Sequence, residues 1–216
     1  MTDQTFEQMR RAMVASSLRT TGVNDPRVLA AIGAVPRERF VPRDCLAIAY
    51  ADTMVPLGNG RELNSPLALG RMLSEGRPQP HERALVIGAA TGYAAAVMER
   101  LAGSVVAVEE DPALAAKARE NLAGTSVELI EAPLVAGHAG GAPYDFILID
   151  GAVEFVPDAL IFQLVDGGRM AAAMLDNGVT RIALGRRAGE GFGLVPITDS
   201  ASTILPGFVR PRAFTF

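Results

Sequence analysis

The chain of 216 residues contains one cysteine and only two histidines. A single thiol, Cys45, excludes an internal disulfide framework. With His81 and His138 far from it in sequence it makes a poor zinc set, because structural zinc takes four ligands, mostly thiolate or imidazole. No run of 18 uncharged apolar residues occurs, which predicts no membrane-spanning helix. The opening MTDQTFEQMRRAMVASSLRT has no apolar core of signal-peptide length. There is no basic excess either: 20 Lys and Arg face 24 Asp and Glu, for a net charge of −4. Without a basic domain or stripe the chain is not expected to bind nucleic acid. Internal repeats and low-complexity tracts are lacking. These absences predict a soluble, cytoplasmic protein with neither a membrane nor a nucleic-acid partner.

What is there is an ordinary globular composition, 49% hydrophobic and 20% charged, so chain-wide disorder is excluded. At about 150 residues per domain the length corresponds to roughly one domain with an added segment. The organisation expected is an N-terminal helical and substrate-loop segment over 1–80, a cofactor-binding core over 81–175, and antiparallel strands over 176–216 that complete the same domain.

Phe6, Met9, Met13 and Leu18 recur near the helical period. Asn24-Asp25 before Pro26 marks a second helix start, running to about Ala34 and burying Val28, Leu29 and Ile32. Pro, Gly, Asp and Asn at short intervals from Pro36 to Pro66 read as ordered loop, and a helix over Leu67–Leu73 follows. From Arg83 the pattern changes. The apolar runs ALVIG (Ala84–Gly88), SVVAVE (Ser104–Glu109), SVELIEA (126–132), YDFILID (Tyr144–Asp150) and RMAAAML (169–175) read as buried parallel strands. Helices are expected between them at Ala94–Leu101, from Asp111-Pro112 to about Leu122, and near Pro157–Leu164. Such alternation predicts a doubly wound α/β fold with a mostly parallel sheet. Asp176-Asn177-Gly178 is a hairpin turn, and VTRIALGRR and FGLVPI read as antiparallel strands at the sheet edge. A last strand is weakly indicated over Phe208–Phe216.

Ligands in such sheets bind beyond the strand carboxyl ends, where strand order reverses. The first strand ends in Gly88-Ala89-Ala90-Thr91-Gly92. The second ends in Glu109-Glu110-Asp111, 21 residues after Gly88, a spacing suited to an acid receiving ribose hydroxyls. The fourth ends in Asp150. The loop lacks the second glycine of a dinucleotide fingerprint and the Lys of a P-loop, which leaves a nucleoside without phosphates, such as S-adenosylmethionine. A plain strand-to-helix turn at Gly88 and Gly92, and a solvated loop charge at Glu109, stay open as alternatives.

A string of blocks carries a more specific resemblance. From about Met13 to about Met174 the sequence is similar to the protein-L-isoaspartate O-methyltransferase family. The stretch MVASSLRTTGVNDPRVLAAIGAVPRERFVP resembles the family's opening segment. Ala49-Tyr50 with Asp52, Pro56-Leu57-Gly58 with Gly60, VIGAATGY, VVAVEED, Ala142-Pro143-Tyr144-Asp145 and Gly167-Gly168-Arg169 follow in family order. The resemblance implies a Rossmann-like S-adenosylmethionine-dependent methyltransferase fold and methylation of the side carboxylate of L-isoaspartyl residues in damaged proteins. It implies S-adenosylmethionine as cofactor, isoaspartyl proteins or peptides as partners, and a monomer or weak homodimer. On the cofactor side it places Gly88, Ala89, Ala90, Thr91, Gly92, Glu109, Glu110, Ala132 and Asp150. On the substrate side it places Glu62, Leu63, Ser65 and Pro66, with Asn64 as the catalytic residue.

The chain departs from the family pattern at several of these positions. The family's substrate loop G-Q-T-I-S-x-P reads Gly60-Arg61-Glu62-Leu63-Asn64-Ser65-Pro66. Val86 stands where an acid is usual, Ala90 replaces the middle glycine, and Glu131-Ala132-Pro133 replaces G-D-G. A carboxylate acceptor is already ionised at pH 7 and needs no general base, so an Asn64 amide donating to the substrate oxygen could replace the serine. Glu62 facing the site would repel an anionic substrate by about 1–4 kcal/mol at 4 Å; it either turns away, pairs with Arg61, or signals another acceptor. Two further readings therefore accompany the methyltransferase: a catalytically impaired member acting as a binding or scaffold protein, and a methyltransferase with a different acceptor. Elsewhere Cys45 reads as a small buried hydrophobe, His138 as a solvated loop residue, and Arg37, Arg39 and Arg43 as a solvated face. Phe208, Phe214 and Phe216 read as core packing.

Overall fold

Helix caps organise the segment before the sheet. Thr2 accepts a hydrogen bond from the Thr5 N–H at the start of α1 (Asp3–Ala12), and the chain stays helical through Leu18, burying Phe6, Met13 and Leu18. Asp25 accepts from the Arg27 N–H, and Pro26 opens α2 (Pro26–Ala34), whose Val28, Leu29, Ala31 and Ile32 face the core. These two helices follow the predicted pattern. The stretch read as loop contains more order than its composition suggests. It forms 3-10 turns at Arg37–Arg39 and Arg43–Ile48 and an antiparallel hairpin of β1 (Val55–Gly58) and β2 (Arg61–Leu63). Strands of three and four residues are too short to show a period of two. Ser65 caps α3 (Pro66–Gly76), accepting from the Ala68 N–H at 3.2 Å. The helix continues past Leu73 until Arg77 turns left-handed, with φ 49°.

A computed structural model describes residues 2–210. Its sheet is built from β3 (Arg83–Ile87), β4 (Ser104–Glu109), β5 (Glu128–Glu131), β6 (Tyr144–Val153), β7 (Leu164–Asp176), β8 (Val179–Ala188) and β9 (Gly191–Asp199). Between them lie α4 (Tyr93–Met98), α5 (Pro112–Asn121) and α6 (Asp158–Ile161). Strand order is β5-β4-β3-β6-β7-β8-β9. Pairing is parallel from β5 to β7 and antiparallel from β7 to β9. The doubly wound sheet with an antiparallel edge is thus as the pattern predicts. Helix α6 is shorter than expected because Leu164, fully buried, already pairs with Tyr144. The β7–β8 turn has Asn177 at φ 48° and Gly178 at φ 79°, the two positive angles a type I′ hairpin needs.

Residues of β3 alternate between two cores. Ala84 and Val86 face the helices α1–α4 with Ala107, Phe146 and Leu148, while Leu85 and Ile87 pack with Val106, Val108, Ile147 and Ile149 on the other face. Burial on both faces is why these strands read as unbroken apolar runs. The chain moves outward from β3 through β4 to β5, then returns to the other side at β6. The carboxyl ends of β3, β4 and β6 therefore meet at one crevice.

The weakly indicated last strand is absent over 208–210, and 211–216 lie outside the described residues, Phe214 and Phe216 with them. Instead Ile204 forms a parallel bridge to Ala152, and Phe208 is fully buried. The segment lies across the end of β6, with the Ala152 N–H donating to Thr203 O at 2.8 Å and the Leu205 N–H to Ala152 O at 2.9 Å.

The close fit of α3 on the sheet can be tested at Gly76. A Cβ there would lie 2.4 Å from Cζ of Phe146, a ring with no exposed surface. Gly76→Ala is expected to destabilise the fold by about 1–3 kcal/mol, read as a lower urea midpoint; an unchanged midpoint would contradict the packing.

Candidate functional site

The crevice receives Gly88 from the end of β3, Glu109 from the end of β4 and Asp150 from β6. Glu109 is fully buried and its carboxylate is crowded with donors. Oε1 accepts from Arg61 Nη1 at 2.6 Å and from the Glu110 and Asp111 N–H groups, both at 3.0 Å. Oε2 accepts from Arg61 Nη2 at 2.8 Å and from the Ala90 N–H at 2.7 Å. An ionised carboxylate offers about four lone-pair positions, so these contacts leave no acceptor capacity for a ribose. Arg61 is itself only 4% exposed. Its forked, charge-assisted pair is the strongest geometry available to a guanidinium.

Beside this pair runs a second polar chain. Asn64 Nδ2 donates to Asp150 Oδ1 at 2.8 Å, and Asn64 Oδ1 accepts from Ser202 Oγ at 2.8 Å. The amide expected to face substrate is thus held between β6 and the C-terminal segment. Burial pushes the Asp150 carboxyl above its ordinary range, opposed by the Asn64 hydrogen bond and the Arg37 and Arg61 charges. Glu62 neither pairs with Arg61 nor stands free: it accepts from the Thr203 hydroxyl. Leu63 is in the core at 1% exposure. Ser65 and Pro66 serve as cap and first turn of α3.

The glycine loop is likewise occupied by the protein's own groups. The Gly88 and Ala89 N–H groups both donate to Val108 O at 3.0 Å. Thr91 Oγ1 donates to Phe40 O at 2.6 Å, and Thr91 O accepts from Asn121 Nδ2 at 2.9 Å. Gly92 turns with φ 100° against Leu122. Ala90 takes φ 51° without being glycine. Glu110 accepts from the Leu134 N–H at 3.1 Å, and the Ala132 N–H donates to Glu109 O at 3.2 Å. Over Gly88 and Gly151 lies Leu205: a Cβ on either glycine would meet its side chain at 2.9 and 2.4 Å respectively. The space bounded by Arg61, Glu62, Asn64, Asp150, Gly151, Thr203, Ile204 and Leu205 leaves about 0 Å³ for a water-sized group.

S-adenosylmethionine, the implied cofactor, meets suitable chemistry at Glu109, Asp150 and the glycine loop, but in this conformation the residues do not admit it. Glu109, expected to receive its ribose, holds a guanidinium, and the ground beside Gly88 holds Leu205.

Sequence reasoning missed Arg61, Ser202, Thr203 and Leu205. Only the Gln-to-Arg departure in the substrate loop hinted at the first. The Arg37–Arg39–Arg43 reading needs correction at one residue. Arg37 has no exposed surface; it donates to Ala49 O at 2.9 Å and Asn64 O at 2.6 Å, with its guanidinium 4.6 Å from the Tyr93 ring centre. Those carbonyls and the ring face offset part of the cost of its burial, while Nη1 is buried without a hydrogen-bond partner. Cys45 is half-buried, and the His138 N–H donates to Gln163 Oε1 at 2.9 Å. Among the described residues no cluster of three or more His, Cys, Asp or Glu could hold a metal, and no helix is long and apolar enough to cross a membrane.

Residues 9–196 match the family model described as protein-L-isoaspartate(D-aspartate) O-methyltransferase. A protein-L-isoaspartate O-methyltransferase of Methanoregula boonei is 39% identical over 199 residues, covering 87% of this chain and 92% of that protein. One from Herpetosiphon aurantiacus is 36% identical over 197 residues, 90% of this chain and 88% of that protein. Among solved structures, a protein-L-isoaspartate O-methyltransferase superposes with TM-score 0.80 at 23% identity, covering 92% of this chain and 66% of that one. A putative protein-L-isoaspartate O-methyltransferase of Plasmodium falciparum, in complex with S-adenosyl-L-homocysteine, gives TM-score 0.74 at 16% identity over 93% and 97% of the two chains. At these identities the two structures bear on the fold alone.

Two measurements probe the site as described. Ala90→Gly removes a Cβ from a left-handed residue, a relief of about 1–2 kcal/mol partly offset by about 0.4–1 kcal/mol of unfolded-state entropy. A net gain of roughly 0.5 kcal/mol is expected in urea unfolding, and a loss would contradict the φ. Asp150 binds its proton more tightly folded than unfolded, so its contribution to stability falls as pH rises from the ordinary carboxylate value of about 4 through the raised folded value. Wild type should therefore lose stability relative to Asp150→Asn over that rise; a constant difference from pH 4 to 8 would refute the raised affinity.

Proposed function

The chain belongs to the protein-L-isoaspartate O-methyltransferase family, and on that premise we propose that it methylates the side carboxylate of L-isoaspartyl residues in damaged proteins, with S-adenosylmethionine as donor. The observation that carries this reading is the family match over residues 9–196 on a chain whose β3, β4 and β6 deliver Gly88, Glu109 and Asp150 to one crevice. Gly88–Gly92, Glu109, Glu110, Ala132 and Asp150 are the cofactor side in this reading. Asn64 is the residue nearest the chemistry, with Glu62, Leu63, Ser65 and Pro66 shaping the substrate loop. A groove of about 320 Å³ lined by Asp52, Met54, Ser65, Arg71 and Ser200 borders that loop and offers a peptide a place to lie. We place the protein in the cytoplasm as a monomer or weak homodimer. Since the acceptor is ionised at pH 7, alignment rather than proton transfer is what the protein must supply.

The filled crevice favours a second reading, a family member that binds without catalysing. One experiment separates them. A peptide carrying L-isoaspartate is incubated with methyl-labelled S-adenosylmethionine and the protein. Base-labile label above background is expected, and its absence at high protein concentration would overturn the methyltransferase.

A further inference from the structure

We propose that Arg61 is a built-in plug of the nucleoside seat, and that ligand entry requires its guanidinium to leave Glu109 together with Leu205. The inference rests on the methyltransferase reading in that the excluded ligand is an adenosine-type nucleoside. Its ground is the geometry of the carboxylate. A guanidinium presents two parallel N–H donors to two carboxylate oxygens, and a vicinal diol presents two O–H donors to the same pair. Both Glu109 oxygens hold Arg61, at 2.6 and 2.8 Å, besides three backbone N–H groups. Arg61 and a ribose diol are therefore mutually exclusive on Glu109.

The plug is latched from two directions. Arg61 sits on the β1–β2 hairpin, whose turn residue Asn59 donates to Asp111 at 3.3 Å. The neighbouring Glu62 and Asn64 accept from Thr203 and Ser202 of the C-terminal segment. That segment lays Leu205 over Gly88 and Gly151. Hairpin and segment thus meet over the crevice, and the space between them admits no water-sized group. Parting them breaks these side-chain bonds and, at the end of β6, the two backbone bonds that tie Thr203 and Leu205 to Ala152, leaving the rest of the sheet paired. If the open state is a minor one, apparent ligand affinity falls by its fractional population. A mutation that empties the seat should restore the affinity.

The test is calorimetric titration of S-adenosylhomocysteine into the full chain, the Arg61→Gln variant and the Leu205→Ala variant, each checked for folding by circular dichroism. Arg61→Gln is expected to bind at least tenfold tighter than wild type, even though losing a buried ion-pair partner lowers its melting temperature in the absence of ligand. A merely structural role for Arg61 would leave affinity unchanged or weaken it. Should Arg61→Gln fail to fold, Leu205→Ala, which keeps the ion pair, carries the test with an expected gain of about threefold. Folded variants that bind no tighter than wild type overturn the plug, whether wild type binds well or none of the three binds. A tightened Arg61→Gln that still leaves isoaspartyl peptide unmethylated upholds the plug and defeats the methyltransferase reading instead.

Discussion

The buried ion pair between Arg61 and Glu109 ties the β1–β2 hairpin to the carboxyl edge of this sheet. Two ions taken out of water cost several kcal/mol each, and a close bidentate geometry with extra hydrogen bonds is what offsets that cost. Glu109 has both. Removing either partner alone would strand a charge at a penalty of about 3–5 kcal/mol. The pair consequently fixes where the β1–β2 hairpin docks, and the hairpin in turn fixes Glu62 and Asn64. The residues read as substrate-facing instead tie the hairpin to β6 and the C-terminal segment.

The surroundings are consistent with that role. Asn64 spends its amide on Asp150 and Ser202, and its carbonyl on Arg37. Glycines that would let a ligand approach the backbone instead let Leu205 approach it. The strand ends converge as the proposed cofactor site requires, while the chain's own groups satisfy the donors and acceptors there. Family membership and a closed crevice are compatible if the described state is the resting one, since a ligand shifts an equilibrium only by its differential affinity for the two states.

Much of this was legible beforehand. The apolar runs at Ala84–Gly88, Ser104–Glu109 and Tyr144–Asp150 became β3, β4 and β6 because burial on both faces leaves an unmistakable composition. Asp25-Pro26 and Asp111-Pro112 marked helix starts because capping is a local event. Asn177-Gly178 marked its hairpin because few residues accept two positive φ angles. The hairpin at Val55–Leu63, the shortness of α6 and the burial of Arg37 were not legible. The hairpin's strands are too short to show a period, and the other two depend on partners farther along the chain: Arg37, for one, is held by the Ala49 and Asn64 carbonyls and the Tyr93 ring.

The amino-acid order alone determined the α/β class, the parallel core, the strand ends that converge and the family to which the chain belongs, because period, capping and motif order are written within short windows. Only the tertiary structure decided whether the crevice between those ends stands open. Arg61 reaches Glu109 across 48 residues and Asn64 reaches Ser202 across 138, and no local pattern encodes which of a loop's charged side chains will find a carboxylate so far along the chain. That choice is made when the sheet, the hairpin and the C-terminal segment compete for the same buried acceptors.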